Sequence, residues 1–492
     1  MLFFKLMVRP VVAGGLAILG THTAFAGEIC GGETMPTTPP VLCAQDFGLY
    51  PGVGTDSAPM MQKALDSASE RKRGLFFPAG IYRFGEPLKI RSHNSIIGST
   101  KDATIFAGPV PNGLATGMGD ESYSAAVTDV TIENIIFNNI YVRFYGPYKR
   151  RMAIRYNVFI NTNRAGEQLA VSHIPYEVRG NVLMRGPNYP GLGLSTYANK
   201  VINGRGLLVE GNFLGSPDQR QRASTYVDNK TGALIDRVLQ LRKDGRLSFS
   251  DDQGNYVAGW YATSQLQGAV FRRNYFAGNT LRKLWNPKTG EEDIQRDHNI
   301  YLKEYNGVDI VQNYFSGWPD QPAGQLKFRN AQNLVFAANY LDGISFNARP
   351  YDNSLLMFMR DTYIFNNVLK QIEVNHKPSE SLVSYWQNFT DSPSAKIDVR
   401  DYLVFSNRFA AADKATCRVT APKVTLSPGQ FLAADNRYAD GSAVASCGSV
   451  RESTVEQMKA RLPQAKHKYL ALQPIEPGMA NDWPASDPAV KQ

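Results

Sequence analysis

Histidine, tryptophan and cysteine are scarce in this 492-residue chain, which contains six, five and four of them respectively. No group of them has the spacing of a zinc site, and no glycine-rich phosphate loop occurs. After residue 26, no stretch approaches the roughly 18 apolar residues that a membrane helix needs. The sequence therefore predicts no zinc site, no phosphate-binding loop of the nucleotide-hydrolase type and no membrane partner.

The first 26 residues have the features of a secretory signal peptide. Lys5 and Arg9 precede a short apolar run, and small residues around Ala24 and Ala26 form a cleavage site before Gly27. We therefore expect a secreted or periplasmic mature protein. Loss of Lys5 and Arg9 removes two positive charges, which lowers the formal net charge from +9 to +7. This excess favours a polyanionic partner without choosing between nucleic acid and acidic polysaccharide.

The four cysteines fit the oxidising compartment that a signal peptide implies. Three pairings are open to four cysteines. Proximity in the chain favours Cys30 with Cys43 and Cys417 with Cys447, which would place one disulfide near each end.

One phrase recurs between about residues 125 and 440: a short β-rich run, then asparagine, then one or two apolar residues. Most gaps between these asparagines are about 20 to 30 residues, the period of a solenoid. We expect each asparagine to form a left-handed bend and to hydrogen-bond to its neighbours along the stack. The gap of 62 between Asn212 and Asn274 predicts a further coil plus an insertion at about residues 214–256. The repeat asparagines are Asn139, Asn157, Asn181, Asn212, Asn274, Asn313, Asn339, Asn367, Asn388, Asn407 and Asn436.

The segment after Asp46 has a second signature. Apolar residues from Met60 to Ala68 recur at helical spacing, and two short strands, LFFPAGIYRF and LKIRSHNSIIG, follow. The phrases Asp-Phe-Gly, Gly-x-Thr-Asp and Phe-Pro-x-Gly-x-Tyr in this segment resemble the N-terminal module of the pectate-lyase-like superfamily. That resemblance implies an all-β fold, a right-handed single-stranded parallel β-helix with an N-terminal helical cap and side loops.

The resulting division of the chain has three parts after the signal peptide is set apart. Residues 27–45 are a disulfide-pinned lead-in, residues 46–440 form the β-helix with its insertion, and residues 441–492 form a C-terminal cap and tail. The helical phrase STVEQMKARL belongs to that cap. We expect a monomer, because a capped solenoid needs no partner to cover its ends.

Alignment on the repeat asparagines identifies candidate functional residues. Lys303 lies ten residues before Asn313, and Arg329 lies ten residues before Asn339. If the register holds, the two cations are stacked about 4.8 Å apart. The same count puts Met357 in the next coil. Like charges repel, so a stacked pair is typical of an anion-binding surface, although a solvated charged face remains the alternative.

A cation pair suits β-elimination of a uronate polymer, in which one cation neutralises the substrate carboxylate and a base removes the C5 proton. Residues 296–343 resemble the group that includes chondroitinase B and some alginate lyases, and this resemblance implies base and acid roles for Lys303 and Arg329. The group's His-Gly after the arginine is Asn330-Ala331 here, and its calcium-binding acids have no clear counterpart.

His298 and Tyr301 are a second candidate pair, as neutraliser and base. Candidate contacts to an acidic polysaccharide chain are Arg296, Lys327, His173, Tyr176, Arg349, Arg360 and Trp318. The motifs of mannuronan C5-epimerases and of β-helix polygalacturonases are missing as sets. The sequence therefore predicts a polysaccharide lyase acting on an acidic polymer and not on nucleic acid. An epimerase, a glycoside hydrolase and a non-catalytic binding or export protein are the alternatives. No cofactor is predicted firmly, and assistance by Ca²⁺ is left open.

Overall fold

The chain winds into parallel coils whose strands form three long sheets. In this computed structural model, residues 28–479 are described except for 53, 55, 110–113, 123, 147, 163–167, 173–175, 185–191, 196–206, 250–265, 278–282, 287–290, 295–299, 317–325, 345, 350–356, 371–372, 375–376, 379–382, 386–396, 411–413, 415–416 and 422–429. The predicted signal peptide lies outside the described residues. Each described coil passes sheet I, then sheet II, then sheet III, and every neighbouring pair within these sheets is parallel. The prediction of a parallel β-helix is confirmed.

Sheet I is the longest of the three. Its strands are Val41–Cys43, Gly74–Phe77, Ile96–Gly98, Val127–Glu133, Lys149–Arg155, Tyr176–Arg179, Leu208–Glu210, Leu266–Arg272, the carboxyl-terminal parts of Tyr301–Val311 and Leu326–Ala337, and then Met357–Phe365, Ile397–Phe405, Phe431–Ala434 and Arg451–Glu452. It starts before residue 46 and continues past residue 440, so the β-helix extends beyond both predicted boundaries.

Sheet II has twelve strands. They are Gly80–Arg83, Thr104–Ala107, Ile135–Asn138, Val158–Ile160, Val182–Leu183, Phe213–Leu214, Tyr275–Ala277, Tyr314–Ser316, Tyr340–Asp342, Val368–Lys370, Arg408–Ala410 and Arg437–Tyr438.

Sheet III begins with Leu88–Lys89, Thr116–Asp120, Ile140–Phe144, Leu169–Ser172 and Leu192–Ser195. On the same side of the later coils lie the amino-terminal parts of Tyr301–Val311 and Leu326–Ala337, then Phe346–Arg349, Val383–Tyr385, Val419–Thr420 and Ser446–Cys447. Antiparallel hairpins branch off at Ile29–Cys30 with Glu33–Thr34, Lys283–Asn286 with Glu291–Ile294, and Glu373–Val374 with Lys377–Pro378.

Among the described residues, four α-helices lie outside the coils. They are α1 (Ala58–Glu70), α2 (Arg220–Ala223), α3 (Asn229–Lys243) and α4 (Val455–Arg461), and 3₁₀ turns occur at Ala44–Phe47, Pro217–Gln219 and Gln464–Ala471. The predicted N-terminal helix is confirmed as α1, which buries Met61, Leu65 and Ala68 over the first coil but leaves Met60 exposed. The insertion was predicted as a loop, but it contains α3, whose N-cap Asp228 accepts a hydrogen bond from the Thr231 backbone N–H.

Stacked asparagines mark the corner between sheets I and II, and nine of them form one continuous ladder. Each backbone N–H donates to the Oδ1 of the asparagine one coil further on, at 2.8–3.2 Å. The members are Asn157, Asn181, Asn212, Asn274, Asn313, Asn339, Asn367, Asn407 and Asn436.

The ladder corrects the repeat alignment at four points. Asn212 bonds directly to Asn274, so the 62-residue gap is a single coil with an insertion and contains no further coil. Asn367 bonds directly to Asn407, which leaves no ladder position for Asn388, itself outside the described residues. Asn139 lies at a different corner, between strands of sheets II and III. The residue with left-handed backbone angles is the one before each ladder asparagine, for example Gln312 at φ 55°. The asparagine itself contributes the side-chain amide that hydrogen-bonds to the neighbouring coil.

The interior is a continuous apolar core. Val, Ile, Leu and Phe side chains from all three sheets fill it, including the fully buried Ile154, Phe137 and Leu334. Both predicted disulfides are present, Cys30 with Cys43 and Cys417 with Cys447. They hold the two ends of the coil stack, where a solenoid has neighbours on one side only.

Candidate functional site

The later part of sheet I is covered on its outer side by the C-terminal segment. Asp309 points outward there, is 7% exposed, and accepts hydrogen bonds from Lys466 Nζ at 2.5 Å and Tyr469 Oη at 2.7 Å. Met458 of α4 is fully buried against the outward apolar residues of the same sheet, such as Phe365. This surface is therefore closed to a large ligand.

Sheet II is covered by the insertion. Tyr226 and Ile235, from the segment that carries α2 and α3, are fully buried against outward tyrosines of the sheet. Arg222 donates to Tyr314 Oη at 3.2 Å, and that hydroxyl donates to Asp342 at 2.9 Å. Burial raises the pKa of Tyr314, so this hydroxyl stays protonated and keeps its place in the network.

Sheet III carries the candidate site. In the described part of the chain, no α-helix covers this side of the later coils, unlike sheets I and II. Leu302 and Phe328 are 2% and 0% exposed and belong to the core. Because neighbouring positions of a strand alternate between its two faces, the positions on either side of these two residues are outward ones.

The backbone register brings the predicted cations together. Lys303 is paired with Arg329, as the asparagine alignment predicted. Arg329 is paired in turn with Arg349, so the column reads Lys303, Arg329, Arg349, with about 4.8 Å between strands. We call these three residues the cation column. The expectation that Met357 continues it is wrong, because the strand Phe346–Arg349 pairs with this part of Leu326–Ala337 instead.

A second column lies beside the first on the same outward face. Tyr301 is paired with Lys327, and Lys327 with Asn347, which is paired with Ser384. The Lys327 side chain is half-buried. Sequence reasoning missed Asn347 and Ser384, because a count back from Asn367 does not reach the strand that carries Asn347.

The same protein contains a charged column with the opposite composition. In sheet I, the paired positions read Glu133, Arg155, Arg179, Glu210 and Arg272. Acid and base contact each other along it, with Arg155 Nε 2.7 Å from Glu133 and Arg272 Nε 2.8 Å from Glu210. No paired position in the cation column is an acid. Because like charges at paired positions repel, such a run is typical of a surface that binds an anion.

Two further candidates lie elsewhere. Tyr176 belongs to sheet I, where it is paired with the buried Met152, so its strand is around a corner from the cation column. Arg360 is paired with Gln332 and Arg400, just beyond the bend that follows Arg329. Arg296, His298, His173 and Trp318 lie outside the described residues.

The described residues contain no group of three or more histidine, cysteine, aspartate or glutamate side chains that could hold a metal ion. Among the same residues, no helix is long and apolar enough to cross a membrane. The lysine, arginine and tyrosine residues of the two columns have side chains suited to binding a carboxylate and to proton transfer.

Coils of parallel strands with stacked asparagines at one corner define a parallel β-helix protein. Residues 42–143 match a family described as rhamnogalacturonase A/epimerase, pectate lyase-like. The matched residues include the segment in which the sequence resembles the pectate-lyase-like superfamily, and the parallel pairing of the strands gives the β-helix that this resemblance predicted. The match does not reach the cation column, so the resemblance of residues 296–343 to the chondroitinase B and alginate lyase group stays a prediction.

Solved structures with similar coils have diverse functions. A surface adhesin of Streptococcus pneumoniae is 10% identical, with 85% of this chain and 94% of that chain covered and a TM-score of 0.48. The A-module of the mannuronan C-5 epimerase AlgE4 of Azotobacter vinelandii is 9% identical over 84% and 99%, with a TM-score of 0.34. An α-1,3-glucanase of Streptomyces thermodiastaticus is 12% identical over 85% and 68%, with a TM-score of 0.43. No protein with a curated description matches the chain.

Proposed function

We propose that this protein is a secreted or periplasmic polysaccharide lyase that cleaves a uronate-containing polymer by β-elimination at the cation column. The observation that carries the proposal is the register of Lys303, Arg329 and Arg349 on three successive strands. The two disulfides fit the oxidising compartment in which such an enzyme would work.

The two arginines of the column would neutralise the substrate carboxylate. An arginine keeps its charge at any working pH and can bind a carboxylate with two parallel hydrogen bonds. Neutralisation lets negative charge develop on the carboxylate in the transition state, which makes the adjacent C5 proton removable. Arg329 and Arg349 are paired neighbours, so they could share one carboxylate or hold two consecutive ones.

Lys303 would then act as the base. Neighbouring cations favour the neutral form of a lysine, which is the form that accepts a proton. As the C5–H bond breaks, its electrons form the C4–C5 double bond and the C4–O bond to the next sugar breaks. Tyr301, two residues away along the strand, would donate its hydroxyl proton to the departing oxygen. The products are a shortened chain and a chain that begins with an unsaturated uronate.

A glycoside hydrolase would instead need two carboxylates flanking the bond. The outward positions of the two columns hold Tyr301, Lys303, Lys327, Arg329, Asn347 and Arg349, with no aspartate or glutamate. An epimerase could use the same base and neutraliser but would return a proton to C5 without breaking the chain. The product therefore distinguishes these reactions.

The test is incubation of the purified protein with alginate, polygalacturonate and glycosaminoglycans while the ultraviolet absorbance of unsaturated uronate is followed. The variants Lys303→Ala and Arg329→Ala should each lower the rate by about a hundredfold or more, because a positioned base contributes about 10²–10⁴-fold. Lys243→Ala is the matched control, an exposed lysine at the end of α3 on the insertion. Its rate should equal that of the parent protein.

Three results would overturn the lyase proposal. Altered sugar composition without new chain ends would identify an epimerase, and new reducing ends without absorbance a hydrolase. Binding without any change in the polymer would identify a non-catalytic protein. Full activity in both column variants would refute the site even if the reaction is right.

A further inference from the structure

A separate cleft lies on the outer face of sheet III, in the early coils. It has a volume of about 320 Å³ and is bordered by Lys89, Gly117, Gly119, Ser122 and Tyr141. Met118 is 2% exposed and belongs to the core, so the glycines on either side of it are at outward positions. The cleft is therefore on the same side of the coils as the cation column.

The floor of this cleft is backbone, and its two glycines are required by close contacts. A Cβ atom at Gly117 would lie 2.4 Å from Tyr141 Oη, so the tyrosine ring rests directly on the glycine. A Cβ atom at Gly119 would lie 1.8 Å from the Arg143 carbonyl oxygen, and Gly119 has a φ of 141° that favours glycine. Gly119 thus gives the cleft a backbone floor, while Gly117 is covered by the ring of Tyr141, which is 8% exposed.

The rim of the cleft is held by a buried ion pair. Lys149 is fully buried, and its Nζ donates to the carbonyl oxygens of Ser122 at 2.6 Å and Ala125 at 2.8 Å. The Asp120 carboxylate is 3.6 Å away and balances its charge. The hydrogen bonds and the ion pair of Lys149 are made within the protein, so they hold the 120–125 segment in place. The exposed Lys89 is the cation at the rim that a ligand can contact.

A flat backbone floor, a tyrosine, a serine and one exposed lysine are suited to a sugar ring that carries hydroxyls and one carboxylate. Glu121 also lines the rim, so the cleft is not a general anion trap. The strands Thr116–Asp120, Ile140–Phe144, Leu169–Ser172 and Leu192–Ser195 are consecutive. The strand Tyr301–Val311 follows two coils later, as the pairing in sheet I shows. At about 4.8 Å a step, the cleft and Lys303 are about 24 Å apart.

We propose that this cleft is a distal subsite for a uronate of the same polymer chain that reaches the cation column. The inference rests on the proposed function and adds a chain-length requirement. An acidic chain lying along the coils must be several sugars long to occupy both places. Long oligosaccharides gain the contact with Lys89, and short ones do not.

The experiment measures binding, so it does not depend on turnover. Alginate and polygalacturonate oligosaccharides of two to twelve sugars are titrated by calorimetry into the Lys303→Ala protein, with and without Lys89→Ala. The Lys243→Ala change in the same background is the control. We expect Lys89→Ala to weaken binding of the longest oligosaccharides about threefold to tenfold, so that their affinity advantage over short ones shrinks.

An equal effect of Lys89→Ala on long and short oligosaccharides, or no effect on either, would overturn the distal subsite. Failure of the lyase proposal has a different signature. In that case the length-dependent loss remains in the calorimetry, while the parent protein produces no unsaturated uronate from any polymer. Because Lys89 is exposed, its replacement is not expected to impair folding, and a circular dichroism spectrum checks this.

Discussion

The asparagine ladder makes a quantitative prediction about stability, which Asn313→Ala tests. Asn313 is fully buried, and its Oδ1 accepts from the Asn274 backbone N–H at 2.9 Å and from Asn274 Nδ2 at 2.8 Å. Its own Nδ2 donates to the carbonyl oxygens of Phe271 and Val311, both at 3.0 Å, and to Asn339 Oδ1 at 3.1 Å. Alanine removes all five bonds in a place that water cannot reach.

The cost follows from what is left without a partner. A buried backbone N–H that loses its acceptor costs about 1–3 kcal/mol, and each remaining hydrogen bond contributes about 0.5–1.5 kcal/mol net. We expect Asn313→Ala to lower the free energy of unfolding by about 3–5 kcal/mol. That is a large part of the roughly 5–15 kcal/mol by which folded proteins are stable.

Urea unfolding followed by circular dichroism measures this difference. The matched control is Asn306→Ala, since Asn306 is half-buried and accepts one amide bond, from Asn333 at 2.6 Å. It should cost about 1 kcal/mol or less. If Asn313→Ala unfolds at the same urea concentration as Asn306→Ala, the ladder does not stabilise the coils as we argue.

Three further outcomes are expected. Arg329→Lys should keep substrate binding but lose most of the turnover, because a lysine keeps the charge and loses the two-point contact with a carboxylate; equal turnover in the two proteins would exclude that contact. Replacing Cys30 and Cys43 together by alanine should lower the free energy of unfolding by about 3 kcal/mol, since the disulfide closes a loop with a sequence separation of 13 residues, and an unchanged melting temperature would argue against this. The free energy of unfolding should fall as the pH rises above about 10, because the unfolded chain then releases tyrosine protons that the folded chain retains. A free energy of unfolding that stays constant from pH 9 to 11 in urea titrations would contradict the raised pKa values of Tyr226, Tyr275 and Tyr314.

The proposed site illustrates how a solenoid can separate stability from function. Sheet I places acids against bases, Glu133 against Arg155 and Glu210 against Arg179, and their contacts stabilise the folded chain. The cation column repeats one charge on successive strands, a pattern typical of a surface that binds a polyanion. We therefore expect acidic polymers to raise the melting temperature of the parent protein more than that of the Arg329→Ala variant.

The sequence predicted the fold and one part of the site by itself. Repeated asparagines indicate a coil corner, because each asparagine amide must hydrogen-bond to the next coil. This requirement places an asparagine once in each coil, which is visible in the sequence as a repeat. Counting from two of them also predicted the pairing of Lys303 with Arg329, since no insertion separates these residues from their asparagines. The disulfides and α1 were predictable for a similar reason, because they depend on neighbours that are close in the chain.

Only the tertiary structure decided which faces are covered and that Arg349 is paired with Arg329. The insertion and the C-terminal segment cover sheets II and I through contacts such as Tyr226 Oη with the Ile475 carbonyl oxygen, between residues far apart in the chain. The sequence did not predict the pairing of Arg349 with Arg329. Arg349 belongs to the strand Phe346–Arg349, whereas a count of ten residues back from Asn367 ends in the separate strand Met357–Phe365. The repeat period determines which residues occupy equivalent positions in successive coils. The packing of segments that are distant in the chain determines which of these positions a substrate can reach.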